Sequence, residues 1–215
     1  MNMKESTQKI FETLFERYPQ LNVCKKEIAA AAELIIEGFQ KGKKLLVCGN
    51  GGSAADSEHI VGELVKSFRK KRALSTAFSE ELCRYGEHGA ELAETLEGGL
   101  PAIALTGHIA LSTAFANDRN PQMAFAQQTS VYGTEGDVLI AISTSGNSVN
   151  CLYATLAAKA KGLNVILLSG GNGGKIKSYA DVSVIVPESE TYRIQELHLP
   201  VYHALCAMTE EELFD

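Results

Sequence analysis

Side chains able to do chemistry gather in three stretches of this 215-residue chain. In "LLVCGNGGSAADSEHIVGEL" (45–64) an apolar run stops at Gly49, Asn50, Gly51, Gly52 and Ser53, and helical spacing follows, carrying His59 and Glu63. Glycines let a backbone turn sharply and approach a ligand closely, and Ser53 is placed to cap the helix. His59 and Glu63 are i, i+4 and share one helix face. Such a pair is either a surface ion pair or, near a strand end, part of a site. In "AISTSGNSVN" (141–150), Ser143, Thr144, Ser145, Asn147 and Ser148 cluster around Gly146. At a helix start, free N–H groups and the helix dipole favour an anion. The hydroxyls add donors without fixed charge, which suits a phosphate monoester. A simple cap needs one hydroxyl, not four, and no Gly-Lys-Ser/Thr follows to make a nucleotide P-loop. The third stretch, "TYRIQELHLPVYHAL", holds Gln195, Glu196, His198 and His203.

These stretches need elements to position them. Short β-rich runs at 43–48, 102–106, 137–142, 164–168 and 182–186 alternate with helical segments, notably 53–67, 147–161 and 173–179. Runs apolar on both faces and separated by helices imply a parallel sheet covered on both sides. The expected fold is therefore α/β: a three-layer, doubly wound, five-stranded parallel sheet of flavodoxin or Rossmann type. Two N-terminal helices precede it. The first places Ile10, Leu14 and Phe15 on one face, and the second is stopped by Gly42. A last helix, about 191–213, closes the chain, with Pro200 interrupting and bending it. In such sheets ligands bind at the carboxyl ends of the strands, which is where the glycine turn and the serine loop fall. We expect one domain over 1–215, with a helical insertion at about 74–99 that is too short to hold its own core.

The net charge of −6 argues against a nucleic-acid surface. The basic cluster Lys66, Arg69, Lys70, Lys71 and Arg72 reads as a solvated helix end. Five cysteines, an odd number without metal-knuckle spacing, read as reduced thiols of a cytoplasmic protein. The N-terminus lacks the apolar core of a signal peptide, and no run is long enough to span a membrane. His88 and His108 read as bland, His198 as a supporting or interface residue, and "SGGNGG" (169–174) as a flexible turn.

Taken in order, "CGNGGSAADSEHIVGELV", "AFANDRN" (114–120), "ISTSGNS" (142–148) and "RIQELHLPVYH" (193–203) resemble the sugar-isomerase (SIS) domain family, most closely its phosphoheptose isomerases. The resemblance spans nearly the whole chain. It implies an aldose–ketose isomerase acting on a phosphorylated sugar, most closely sedoheptulose 7-phosphate, through an enediol. It implies that Asn50, Gly51, Gly52, Ser53 and Gln195 line the sugar, that Asn117 and Asp118 contact its hydroxyls, and that Ser143, Thr144, Ser145 and Ser148 hold the phosphate. Glu63 and His203 become the acid/base pair. Some members bind one zinc ion per subunit through residues that map to His59, Glu63, Gln195 and His203. No nucleotide cofactor is implied. The family is a cytoplasmic homotetramer with active sites between subunits, so a homotetramer or dimer is expected, with no nucleic-acid or membrane partner. The alternative is a non-catalytic relative that senses a sugar phosphate or binds a replication-initiation protein. Gln195 and His203 lie eight residues apart, about 12 Å along an ideal helix, so a shared metal requires a late start, a bend, or two separate sites.

Overall fold

The computed structural model describes residues 3–214. Two helices, α1 (Glu5–Arg17) and α2 (Lys25–Gln40), lead into strand β1 (Leu45–Gly49). Then come α3 (Gly52–Val65), α4 (Thr76–Cys83), α5 (Glu87–Thr95), β2 (Ala102–Ala104), α6 (Ile109–Asp118), α7 (Ala124–Tyr132), β3 (Val138–Ile142), α8 (Val149–Ala160), β4 (Asn164–Ser169), β5 (Val182–Ile185) and α9 (Thr191–Leu213). The five strands form one parallel sheet in the order β2-β1-β3-β4-β5. Every residue of β1 and β3 is buried. That is why these runs are apolar without alternation: helices cover both faces of a parallel sheet. One face packs Leu45, Val47, Ile140 and Ile166 against Ile28, Ile36, Ile60, Val201 and Leu205. The other packs Leu46, Leu139 and Leu167 against Phe125, Cys151 and Ala154.

Several expectations need correction. The segment 173–179 forms only a 3-10 turn, Ile176–Ser178, because the preceding glycines occupy left-handed backbone and pack against the serine loop instead of starting a helix. Ser53 does not cap α3. Gly51, with φ +56°, is the cap and no side chain bonds the helix start, so Ser53 falls one position inside. Pro200 lies within α9 without ending it. Of the basic cluster, Lys66 ends α3 and is exposed, as are Arg69 and Lys71, but Arg72 is buried and not solvated. Arg72 Nε donates to Glu210 Oε1 at 2.8 Å, while its two other nitrogens donate to the carbonyls of Leu64 and Glu63 at the end of α3.

The 74–99 segment folds as two helices packed on each other, α4 and α5. No residue of α4 is buried, and Gly89 is the one buried residue of α5. Its neck is closed by Gly98 N–H donating to Arg72 O and Leu100 N–H to Leu64 O, both at 2.9 Å. Among the described residues no helix is long and apolar enough to cross a membrane.

Candidate active site

In this strand order, β1 and β3 are neighbours whose connections leave toward opposite sides of the sheet. That makes the crevice beyond their carboxyl ends the topological switch point, where open α/β sheets take ligands. The glycine turn follows β1 and the serine loop follows β3, so both line that crevice. Their side chains tie them together: Asn50 Nδ2 donates to Asn150 Oδ1 (2.9 Å) and Asn150 Nδ2 donates back to Asn50 Oδ1 (2.7 Å).

The serine loop is shaped from within and from behind. Ser143 is buried and its Oγ donates to Ser148 Oγ at 3.0 Å. Ser148 is the residue before α8, where the dipole and the first-turn N–H groups favour an anion. Gly146 has φ +65°, and a Cβ there would run into the Gly173 carbonyl. The "SGGNGG" turn therefore buttresses the loop, with Gly170 N–H on Thr144 O and Ile176 N–H on Gly146 O, each at 3.0 Å. Ser145 and Asn147 are exposed and Thr144 is half-buried.

The second cluster lies further along α3. His59 Nε2 is 3.1 Å from Glu63 Oε1 and 3.3 Å from His203 Nε2. The ligating atoms of His59, Glu63 and His203 all lie within 4.8 Å of one another. Burial lowers the pKa of His203, nearby His59 lowers it further, and Glu63 opposes both. The ring is thus held neutral near pH 7, able to accept a proton or offer a lone pair. Lys66 Nζ reaches the other Glu63 oxygen at 3.3 Å. Behind the cluster, Tyr202 Oη lies 3.1 Å from both His59 Nδ1 and Asp56 Oδ1. Burial and then Asp56 push the Tyr202 phenol well above its ordinary range, so it keeps its proton.

Thus the structure brings together three of the four residues expected to bind metal. The fourth, Gln195, lies over the glycine turn, where a Cβ added to Gly52 would come within 2.7 Å of its Nε2. With Gln195 beside Gly52 and His203 beside His59, α3 and α9 run side by side in the same direction. His59 follows Gly52 by seven residues, about 10 Å of helical rise. Asn117 and Asp118 are exposed at the end of α6, with Asn117 Nδ2 donating to Asp118 Oδ1 at 2.9 Å. His198 is buried, with Nε2 3.3 Å from Ser169 O at the end of β4. His108 stacks on Tyr132, and His88 is exposed.

Sequence reasoning passed over Asp56, Tyr202, Asn150 and the Arg72–Glu210 pair. Asp56 carried a usable signal, since it precedes His59 by three and Glu63 by seven and so shares their face. Tyr202 carried none beyond its place next to His203.

Comparison with known proteins decides the family. The SIS domain model matches residues 14–82 and 75–170. A phosphoheptose isomerase of Clostridium acetobutylicum is 40% identical over 88% of this chain and 84% of its own length. One from Rhodospirillum rubrum is 36% identical over 98% and 99%. The chain belongs to the phosphoheptose isomerase family of SIS-domain proteins. Among solved structures, the phosphoheptose isomerase of Francisella tularensis superposes with a TM-score of 0.74 at 31% identity, covering 95% of this chain and 96% of that one. The Neisseria gonorrhoeae enzyme gives 0.72 at 32%, covering 96% and 97%. The five-stranded parallel α/β fold expected from sequence is the fold of these isomerases.

Proposed function

We propose that this SIS-domain chain interconverts the aldose and ketose forms of a phosphorylated sugar, with sedoheptulose 7-phosphate as its ketose substrate. The observation that carries this reading is a carboxylate, Glu63, set against two imidazoles in a chain that also builds a hydroxyl-lined anion loop. The hydroxyls of Ser143, Thr144, Ser145 and Ser148 hold the phosphate together with the start of α8. Asn50, Gly51, Gly52, Ser53 and Gln195 line the sugar, and Asn117 and Asp118 meet its hydroxyls. Glu63 takes the proton from the carbon beside the carbonyl and returns it to the neighbouring carbon. His203 moves a proton between the two oxygens across the enediol. A carboxylate and a neutral imidazole suit these two tasks.

The cluster also fits zinc. Two imidazole nitrogens and a carboxylate with a fourth position left open is a donor set of catalytic zinc sites. His59, Glu63 and His203 would hold the ion, one per subunit. When bound, it would polarise the carbonyl and stabilise negative charge on oxygen. With the ion bound, Glu63 and His203 would be occupied as its ligands, and their simple acid/base roles would be revised. The 10 Å of helix between the cluster and the glycine turn, and the exposure of Asn117 and Asp118 at the end of α6, support a site completed between copies in a homotetramer or dimer. Cysteines that are mostly buried support a cytoplasmic setting.

The test is Glu63→Gln, with sedoheptulose 7-phosphate in deuterated water. With the unaltered protein, the sugar should turn over and carry deuterium at the carbon beside the carbonyl. The variant should lose about 10²–10⁴-fold in turnover while inorganic phosphate binds as before. A protein that binds the sugar phosphate without exchanging label would instead be the non-catalytic sensor, and near-normal turnover by the variant would sink Glu63 as the base.

A further inference from the structure

The two amides that join the glycine turn to α8 leave one edge of their pair unused. Asn50 Nδ2 donates to Asn150 Oδ1 and Asn150 Nδ2 donates back to Asn50 Oδ1, which closes a ring of two hydrogen bonds. Each amide keeps one more N–H and one more lone pair, and these fall on the two opposite edges of the ring. The inner edge is filled by Cys151, which is buried. Its backbone N–H donates to Asn150 Oδ1 at 3.0 Å, and Asn50 Nδ2 also reaches its Sγ at 3.8 Å. The Cys151 N–H fixes which way round both amides sit. It needs an acceptor, so Asn150 Oδ1 faces it, and Asn50 closes the ring only with its nitrogen toward that oxygen. The outer edge therefore carries the second N–H of Asn150 beside the second lone pair of Asn50 Oδ1, with the two atoms 2.7 Å apart. Among the described residues no other hydrogen bond reaches either group. Asn50 is exposed and Asn150 half-buried, so this edge is open to a ligand. A donor and an acceptor side by side match a hydroxyl group, which accepts one hydrogen bond and donates another.

We propose that Asn150 is a specificity-determining residue that, with Asn50, reads one hydroxyl of the sugar. The hydroxyl donates to Asn50 Oδ1 and accepts from Asn150 Nδ2. The proposal rests on the phosphorylated-sugar reading of the crevice and deepens it, adding Asn150 to the sugar's contacts and giving the Asn50 amide one orientation. Asn150 lies two residues after Ser148, so the hydroxyl is one near the phosphorylated end rather than at the reacting carbons. The same edge discriminates against a missing group. A deoxy sugar sets an apolar carbon against a donor and an acceptor, and a site built around a hydroxyl rejects the analogue that lacks it.

The experiment compares sedoheptulose 7-phosphate with its 5-deoxy and 6-deoxy analogues. Affinity is read by calorimetry in the Glu63→Gln background, where turnover is slow, and kcat/KM in the active protein. One of the two analogues should bind about 5–100-fold more weakly than the parent sugar, the worth of two neutral hydrogen bonds. Asn150→Asp keeps the oxygen that accepts from Cys151 N–H and Asn50 Nδ2, and removes the donor on the outer edge. Its added charge repels the phosphate of every sugar alike and so cancels from the ratio of parent to deoxy affinity. That ratio should shrink about 5-fold or more, and the uncharged Asn150→Ala should do the same. A uniform loss on every sugar, with the ratio preserved, would make Asn150 a structural tie between the turn and α8 and overturn the proposal. An unaltered protein indifferent to both deoxy positions overturns it even if neither variant folds. Selective binding without label exchange would leave the proposal standing and remove the isomerase reading instead, whereas binding of no sugar phosphate would remove both.

Discussion

Glu210 should be among the most sensitive positions in the chain, although it is remote from any substrate. Its side chain is 1% exposed, and its partner Arg72 is 0% exposed. One carboxylate oxygen accepts Arg72 Nε (2.8 Å) and Phe68 N–H (2.9 Å), and the other accepts Arg69 N–H (2.8 Å) and Lys70 N–H (3.1 Å). Four donors therefore converge on one group. Glu210→Ala strands a buried guanidinium, and breaking a buried pair by removing one partner costs about 3–5 kcal/mol. Set against a typical domain stability of about 5–15 kcal/mol, that is about a fifth or more of the whole. An apolar pair, Arg72→Met with Glu210→Leu, removes both charges yet still leaves the Phe68, Arg69 and Lys70 N–H groups without their acceptor. It should recover only part of the loss. Burial pushes the Glu210 pKa up, but the Phe68, Arg69 and Arg72 hydrogen bonds outweigh it and leave it below the ordinary value of 4.5. A depressed carboxyl stabilises the fold above the unfolded pKa, so the contribution should be complete at pH 7 and be lost as pH falls below about 4.5. Urea denaturation at pH 7 reads the loss directly. A Glu210→Ala protein within about 1 kcal/mol of the parent would show that the 66–72 segment finds other partners and that the clamp is not as drawn. Because Arg72 also holds the Glu63 and Leu64 carbonyls, the same variant should lower turnover through misplacement of Glu63.

Three further outcomes are expected. Ser143→Ala with Ser148→Ala should weaken inorganic phosphate binding by a few kcal/mol, at about 1.5–3 kcal/mol per hydrogen bond to a charged group, and unchanged calorimetric affinity would remove the loop as the phosphate site. Replacing 76–97 with a short Gly-Ser bridge should leave a folded protein, since no residue of α4 is buried and the neck bonds lie outside the cut. It should alter assembly or substrate preference, because α4 and α5 expose Phe78, Leu92 and Tyr85 nearby; identical size-exclusion behaviour and substrate profile would contradict this. His198 should destabilise the fold in mild acid. Burial lowers its pKa from 6.5 to about 4, so the unfolded chain takes up a proton that the native state refuses. Stability should drop by roughly 2 kcal/mol between pH 7 and pH 5, and His198→Gln should flatten that part of the profile.

The sheet was legible in the sequence because a strand buried on both faces leaves an uninterrupted apolar run, as in "LLVC" and "VLIAI". The anion loop was legible because four hydroxyls at one helix start exceed what capping needs. The failures share a cause. Arg72 read as solvated because charge is usually exposed, and only the distant Glu210 in α9 makes its burial tolerable. The helix expected at 173–179 ignored the fact that its glycines are held by the Gly146 loop, a contact no local pattern reveals. Tyr202 finds its partner in Asp56, which lies 146 positions away.

The same limit explains Gln195. Spacing along one helix allowed three outcomes for Gln195 and His203, and only the packing partner chooses between them. Because α9 lies alongside α3 in the same direction, each turn of one helix faces the corresponding turn of the other. Gln195 then meets the start of α3 at Gly52, and His203 meets His59 two turns on. The two helices divide the expected ligands between the crevice at the strand ends and a cluster down the side of the sheet. Along α9, which continues through Pro200, Gln195 lies eight residues before His203, about 12 Å of helical rise. Metal content that survives Gln195→Ala in a forced monomer, but falls in the assembled protein, would separate a shared site from one held within a single chain.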